Sequence, residues 1–173
     1  RYDSVMDMRM NTHSSLDARE VINSYSESDL AKVFYEYGEI KQSRRIAKTI
    51  IEHREKKNIH TTSEFINILE GLYPQRMRNK FLSRIFQAIR IEVNDEINAL
   101  KDLLEDVAGL LNNKGRLVVI SYHSLEDRLV KNLINKGSLS GFQEKDLYGR
   151  VNKDLDPINK KVIVPEDKEC KEN

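Results

Sequence analysis

The chain has 173 residues, of which 39% are hydrophobic and 33% are charged, and its net charge is +1. This composition indicates a soluble globular protein with enough residues for a buried core; no apolar run approaches the ~20 residues of a membrane span and no signal peptide opens the chain, so we expect a cytosolic protein. The single cysteine, Cys170, excludes an internal disulfide, and with four scattered histidines it gives no metal-ligand spacing, so we expect no metal site.

The first part of the chain predicts a loop followed by short helices. Residues 1–10 show neither helical nor strand periodicity and are expected to form a loop, whereas residues 16–23 form a helical pattern. Ser26 and Asp29 then have the spacing of a helix cap and predict a second helix that ends at Tyr37.

Two more helices are predicted before residue 75. Residues 39–57 form a third helical pattern with its apolar residues on one side. Thr61 and Glu64 have the T-x-x-E spacing of a capping box and predict a fourth helix, which Tyr73 and Pro74 end. Four short helices with short connections indicate an antiparallel helical module.

Positive charge is concentrated between residues 41 and 90, where twelve Lys and Arg stand against four Glu. The basic residues are Lys41, Arg44, Arg45, Lys48, Arg54, Lys56, Lys57, Arg76, Arg78, Lys80, Arg84 and Arg90. Such asymmetry favours a surface that faces a polyanion, because cations that neutralise phosphates supply most of the sequence-independent affinity. The alternative is a solvated helix face without a ligand.

A long helical pattern follows from residue 81 to residue 111, with an apolar stripe at spacings of three and four. Arg90 and Asn94 lie one turn apart beside that stripe. They are either a pair that faces a ligand or an exposed edge of the helix, and the pattern alone leaves both open.

The stretch 115–128, G-R-L-V-V-I-S-Y-H-S-L-E-D-R, predicts a strand, a polar loop and a helix. Residues 116–120 are apolar and β-branched, as expected of a strand buried on both faces of a parallel sheet. Ser124 and Asp127 have capping-box spacing and predict a helix over 125–136. Ligands of open α/β sheets bind at the carboxyl ends of strands, so this loop is either a ligand site or merely a helix cap.

The last part of the chain offers little further structure. Residues 137–156 are rich in Gly, Ser, Lys and Asp, 161–165 predict a weak second strand, and 166–173 form a polar tail. Two strands do not make a stable sheet with both faces buried. Partner strands must therefore come from another chain or from upstream residues, and the sequence is expected to be a fragment.

Five motifs occur in a fixed order: D-M-R-M at 7–10, Y-G-E at 37–39, F-Q-A-I-R-I-E-V-N-D-E at 86–96, the stretch 115–128, and N-K-K-V-I-V-P at 159–165. Together they resemble the bacterial 16S ribosomal RNA cytosine-N4 methyltransferases, which use S-adenosylmethionine. The resemblance implies methylation of a cytosine N4 in 16S ribosomal RNA of the small subunit. The alternative is a stand-alone basic helical RNA-binding module or a non-catalytic scaffold.

The resemblance also implies an α/β fold, with the C-terminal part of a Rossmann-like methyltransferase domain and an inserted all-helical substrate-recognition domain; the chain itself is then predominantly helical with few strands. The implied domains are 1–10, a loop from the missing catalytic half; 11–80, the helical insertion; 81–165, the C-terminal part of the methyltransferase domain; and 166–173, the tail.

The cofactor loop of that family has no counterpart in this chain, which contains no G-x-G. We therefore expect no S-adenosylmethionine-binding residues in residues 1–173, no cofactor bound to them and no activity from them alone. Two motifs also depart from the family: only Arg84 remains of the H-P-A-T-R that usually precedes F-Q-A, and Tyr122 replaces the usual Phe.

The resemblance suggests two groups of site residues. His123, Ser124 and Asp127 are the candidates for accepting the amine proton, with Glu126 as a further polar group that could meet base or ribose. The candidates for RNA contact are Arg9, Arg44, Arg45, Lys48, Arg84, Arg90, Asn94, Tyr122 and Arg128. Apolar residues 117–120, if left without partner strands, favour self-association.

Overall fold

A computed structural model describes residues 3–143, 145, 147–149, 151–159 and 163–164. In this part of the chain there are seven α-helices and one short 3₁₀-helix, Gln75–Met77. The α-helices are α1 (Ala18–Ser24), α2 (Glu27–Glu36), α3 (Ser43–Arg54), α4 (Thr62–Leu69), α5 (Arg78–Asn94), α6 (Glu96–Leu110) and α7 (Ser124–Lys136). None of the described helices is both long and apolar enough to cross a membrane.

The chain divides into two compact units, Arg1–Asn98 and Ala99–Asn173. The first contains the predicted helical module, in which α2 packs on α3 and α5, and α1 packs on α5. Its core extends into α5, where the ring of Phe86 meets that of Phe65 edge to face at 5.9 Å. The division into compact units falls after residue 98. It does not test the domain boundaries predicted at residues 10 and 80, which stay predictions.

Two predicted helix caps are confirmed in the first unit. The Ser26 hydroxyl accepts the backbone N–H of Asp29 at the start of α2. The Thr61 hydroxyl accepts the N–H of Glu64, whose carboxylate accepts the N–H of Thr61, which completes the capping box of α4. Local spacing was sufficient here because each cap forms within four residues.

The long helix predicted over 81–111 is wrong as a single element. It begins earlier, at Arg78, and is divided into α5 and α6 by Asp95, whose φ of 50° and ψ of 36° are left-handed. Asn and Asp tolerate this conformation better than other non-Gly residues, so the Asn94-Asp95 pair supplies a break that the continuous apolar stripe concealed. The third helix is also shorter than predicted and starts at Ser43, because Glu39 has a φ of 50°.

The strand predicted over 116–120 is wrong for the described structure. These residues adopt no regular structure, and Val118 and Ile120 are 84% and 78% exposed. The described residues show only isolated antiparallel bridges, at Val5 with Thr61 and at Lys145 with Val151, so no neighbouring strand is available to pair with residues 116–120.

The predicted cap of the last helix is displaced by one residue. His123, and not Ser124, is the N-cap of α7, and Ser124 is its first helical residue. The second strand predicted over 161–165 falls largely outside the described residues; Ile163 and Val164 are described and are exposed without regular structure. The predicted tail, 166–173, also lies outside them.

Candidate nucleic-acid interface

The basic side of α3 is exposed because the helix is amphipathic. Ile46 and Ile50 are fully buried, whereas Arg44, Arg45 and Lys48 face solvent. Lys48 has a distant ion pair with Glu52, at 3.9 Å between exposed groups. In the described part of the chain, no carboxylate pairs with Arg44 or Arg45. The two guanidinium groups can therefore meet an anion without breaking an existing ion pair.

The start of α3 adds to this positive surface. Its N-cap, Gln42, makes no side-chain cap, and its first turn contains no acid but does contain Arg44 and Arg45. The first backbone N–H groups of a helix have no partner within it, and the helix dipole is positive at that end, so cations there are unfavourable unless an anion is close. A phosphate oxygen satisfies both requirements.

Helix α5 also begins with basic residues, and it follows the 3₁₀-helix Gln75–Met77 directly, so that the N–H of Arg78 donates to the carbonyl of Gln75. Met77 makes no side-chain cap, no acid lies in the first turn, and Arg78 and Lys80 stand there instead. Arg84 lies one turn further along and is half-buried. By contrast, α1, α2 and α4 each have both a capping side chain and an acid in the first turn. The uncapped, basic helix starts thus coincide with the segment of highest positive charge.

Arg9 contacts the protein itself. Its Nε and Nη2 donate to the two carboxylate oxygens of Asp7, both at 2.7 Å, and its Nη1 donates to the carbonyls of Thr12 and Ser14 at 3.1 and 2.7 Å. The hydrogen bonds from Arg9 lower the pKa of Asp7 from 3.8 to about 2. A direct contact between Arg9 and RNA stays a prediction, and the geometry gives this side chain a structural task.

Arg90 and Asn94 are also occupied by contacts within the first unit. The guanidinium of Arg90 binds both carboxylate oxygens of Glu96, at 2.8 and 3.0 Å. The side-chain amide of Asn94 donates to the carbonyls of Met8 and Arg90, and its oxygen accepts the N–H of Met10 at 2.7 Å. Asn94 therefore joins α5 to the D-M-R-M turn, which neither sequence alternative anticipated.

In the second unit, His123 and Glu126 form a capping box. The Nδ1 of His123 accepts the N–H of Glu126 at 3.4 Å, and Oε2 of Glu126 accepts the N–H groups of Tyr122 and His123. The His123 side chain is 7% exposed, and its buried Nε2 lies 3.5 Å from Oε1 of Glu126 without a hydrogen bond. The Nε2 of His123 thus makes no hydrogen bond with any described residue and faces the carboxylate of Glu126.

The remaining candidates surround the first turn of α7. Asp127 pairs with Lys131 at 2.7 Å, and Ser124 and Arg128 are exposed. Tyr122 is 89% exposed, so its ring can contact a flat ligand. The structure brings these residues together because they are neighbours in sequence, and their catalytic or binding roles stay predictions.

The sequence did not predict that three acidic residues are the contact partners of the candidate site residues. Asp7 and Glu96 neutralise Arg9 and Arg90, and Glu126 completes the cap of His123. The spacing of Glu126 three residues after His123 is a capping signal, but histidine is an uncommon N-cap and the serine beside it was preferred. The pairing of Arg90 with Glu96 depends on the helix break at Asp95, which was not predicted.

The described residues show no glycine-rich loop of the kind that usually holds S-adenosylmethionine. Glycine-rich loops after a strand usually hold such cofactors, and residues 116–120, which precede α7, form no strand and are followed by no G-x-G. Polar groups in the first turn of α7 serve as caps or pair with Lys131. The absence of S-adenosylmethionine-binding residues from residues 1–173 stays a prediction.

Comparison with known proteins identifies relatives over the whole chain. The sequence profile described as the MraW methylase family matches residues 1–173. Proteins named ribosomal RNA small subunit methyltransferase H from Parabacteroides distasonis and Flavobacterium johnsoniae are each 46% identical over all 173 residues, and one from Cytophaga hutchinsonii is 44% identical. The chain spans 57% of the first two relatives and 58% of the third. The family resemblance predicted from the five motifs is confirmed.

Proposed function

Because the chain belongs to the MraW methylase family, we propose that the protein methylates ribosomal RNA of the small subunit, at the N4 amine of a cytosine in the 16S RNA. The observation that carries this proposal is the match over all 173 residues, supported by relatives whose names specify small-subunit ribosomal RNA. The five ordered motifs favour the cytosine N4 as the acceptor. Such a substrate places the reaction in the cytoplasm.

The first unit supplies affinity for RNA through its basic helix starts. Arg44, Arg45 and Lys48 present cations beside the open N–H groups of α3, and Arg84 extends the charge along α5. Phosphate contacts of this kind position an RNA without reading its sequence. Their strength falls as salt rises, because each neutralised phosphate releases counterions.

The second unit supplies groups that can orient and deprotonate the base. The N4 amine of cytosine is a weak nucleophile because its lone pair is delocalised into the ring, so orientation, worth up to ~7–11 kcal/mol, and proton acceptance, worth ~10²–10⁴-fold, dominate the catalytic requirement. The exposed ring of Tyr122 offers a stacking surface, with Arg128 as a phosphate contact nearby in sequence. His123, Ser124 and Asp127 are the candidate proton acceptors.

We place the site of S-adenosylmethionine, which supplies the methyl group when bound, outside residues 1–173. Support comes from the absence of G-x-G in the sequence and from the use of the α7 polar groups in capping. These residues alone should then release no heat when titrated with S-adenosylmethionine and should transfer no methyl group.

The proposal predicts that Arg44→Glu and Arg45→Glu each weaken binding of the full-length protein to small-subunit ribosomal RNA. Each substitution should also make the slope of log affinity against log salt shallower, by the amount expected for the loss of roughly one or two phosphate contacts. Lys32→Glu is the matched control, because Lys32 is an exposed lysine on α2 and the charge change is the same. Unchanged affinity and slope in both arginine variants would contradict the assignment of this surface.

A methylation assay separates the enzyme from the scaffold. The full-length protein, given S-adenosylmethionine and unmodified small subunits, should transfer a methyl group to a cytosine of the 16S RNA, detected by mass spectrometry of the nucleosides. Binding of the RNA without any methylated cytosine would exclude the proposed activity and leave a non-catalytic RNA-binding protein.

A further inference from the structure

The D-M-R-M turn contains a backbone conformation that is unfavourable for its residue. Met8 has a φ of 64°, in the left-handed region that residues with a Cβ rarely adopt. Its side chain packs against the hydrophobic core, so the conformation directs one methionine inward. Strain of this kind persists only where surrounding contacts determine the backbone, and such sites are concentrated at functional surfaces.

Side chains of the turn itself and of α5 hold this turn through several hydrogen bonds. Asn94 binds the carbonyl of Met8 and the N–H of Met10, so one side chain fixes the backbone on either side of Arg9. Arg9 in turn binds Asp7 and the carbonyls of Thr12 and Ser14. The backbone from residue 7 to residue 14 is therefore determined by side chains that lie within it or on α5.

The fixed turn presents four consecutive exposed residues, Met10, Asn11, Thr12 and His13. Met10 is 72% exposed, although its own N–H is bound by Asn94. Burial of Met10 cannot be the reason for holding it, because folding gains little from a side chain left in water. The side-chain oxygen of Asn11 accepts the N–H of His13 within the turn at 3.0 Å. The thioether of Met10, the amide nitrogen of Asn11, the hydroxyl of Thr12 and the imidazole of His13 are groups that can contact the face and edges of a nucleobase.

We propose that residues 10–13 contact an unstacked nucleotide of the RNA, with Met10 against the face of the base, and that Asn94 and Arg9 are positioning residues that hold this contact in place. The inference rests on the proposed function only for the identity of the partner as RNA. It assigns Arg9 an indirect role, since its guanidinium is occupied by Asp7 and two carbonyls.

The first test uses the full-length protein and a short single-stranded RNA of small-subunit sequence that contains the fluorescent base 2-aminopurine. Met10→Ala should weaken binding roughly five- to tenfold, with no change in the salt slope, because it removes a base contact and no charge. It should also reduce the fluorescence change that accompanies unstacking. Leu103→Ala, a truncation of another exposed apolar residue, should leave both unchanged.

The second test addresses positioning. Asn94→Ala should weaken RNA binding and reduce the fluorescence change as Met10→Ala does, while Asn67→Ala, the same substitution at an exposed position of α4, should do neither. Circular dichroism of each variant identifies any loss of fold. Should Asn94→Ala unfold, Met10→Ala decides, because its side chain is exposed.

Unchanged affinity and fluorescence in Met10→Ala would overturn the inference. If Arg44→Glu weakens RNA binding in the same experiments, the proposed function stands and only the assignment of residues 10–13 fails. If neither variant has an effect, the proposed RNA surface fails as well.

Discussion

The two compact units differ in how completely they bury their own apolar residues. Within the described part of the chain, twenty-two of the twenty-four buried hydrophobic residues lie in residues 1–98, and only Leu104 and Val107 lie in residues 99–173. The large exposed hydrophobic residues show the opposite distribution, with four in the first unit and eleven in the second. The described core thus lies almost entirely in the first unit, and the described part of the second unit contributes only these two residues.

The difference shows what an apolar pattern can and cannot determine. In α2 and α3 the apolar faces meet each other, so periodicity is converted into buried area. Residues 116–120 have an equally apolar pattern, but the described residues provide no strand to pair with them. Val118 and Ile120 remain exposed, and the expectation that partner strands come from elsewhere stays a prediction.

Core truncation is the strongest way to test this comparison. In a protein of residues 1–173, Phe34→Ala should lower the free energy of unfolding by about 3–5 kcal/mol, because Phe34 is fully buried in the first unit. Ile120→Ala should change it by less than ~0.5 kcal/mol. Urea unfolding followed by circular dichroism measures both. Equal losses would show that Ile120 is buried and that the two units do not differ.

Replacing a glycine by alanine should change the stability less than core truncation does, and the change should be a loss at Gly38 in the first unit and a gain at Gly109 in the second. A Cβ at Gly38 would lie 2.8 Å from the carbonyl oxygen of Phe34 and 3.1 Å from that of Arg84, so Gly38→Ala should cost about 1–3 kcal/mol. A Cβ at Gly109, within α6, meets nothing within 4 Å, so Gly109→Ala should stabilise the helix by up to ~1 kcal/mol. A stabilising Gly38→Ala would contradict the close packing of α2 against α5.

The smallest expected effect concerns the capping box of α4. Hydrogen bonds from Lys57 and from the N–H groups of His60 and Thr61 lower the pKa of Glu64 from 4.5 to about 2. The carboxylate therefore contributes stability that is fully present above pH 4.5 and is lost as the pH falls towards 2, since protonation is easier in the unfolded chain.

Glu64→Gln should accordingly lower the melting temperature slightly at neutral pH and flatten its decline between pH 4.5 and 2. Glu70→Gln, the same charge change at the end of α4, is the control. Thermal unfolding at several pH values measures the effect. An acid decline as steep in Glu64→Gln as in the unmodified chain would show that this carboxylate does not supply the stabilisation.

The sequence predicted structure best where a few neighbouring residues determine it. The caps at Ser26 and Thr61 depend on groups three residues away, and both were predicted correctly. The break at Asp95 was available in the Asn-Asp pair but was outweighed by the apolar stripe. Residue spacing therefore predicts local hydrogen bonds such as helix caps. Apolar periodicity, by contrast, can run across a break and make two helices look like one.

The candidate site was predicted less well because its contacts are distant in sequence. Asn94 binds residues 84 and 86 positions away, at Met10 and Met8, and no local pattern indicates that pairing. The family resemblance selected Asn94 and Arg9 as important, but only the structure shows that they hold a turn. The charge cluster at Arg44 and Arg45 was visible in sequence, whereas the uncapped helix start beside it was not.

The assignment of RNA binding to the helical unit is tested most directly with three proteins: residues 1–98, residues 99–173 and residues 1–173. The affinity of each for small-subunit ribosomal RNA is measured separately and compared. Residues 1–98 should unfold in a single cooperative transition and keep most of the salt-dependent affinity of the longer chain for small-subunit ribosomal RNA, because the core and the basic helix starts lie within them. Affinity that is lost in residues 1–98 and retained in residues 99–173 would contradict the assignment of RNA binding to the helical unit.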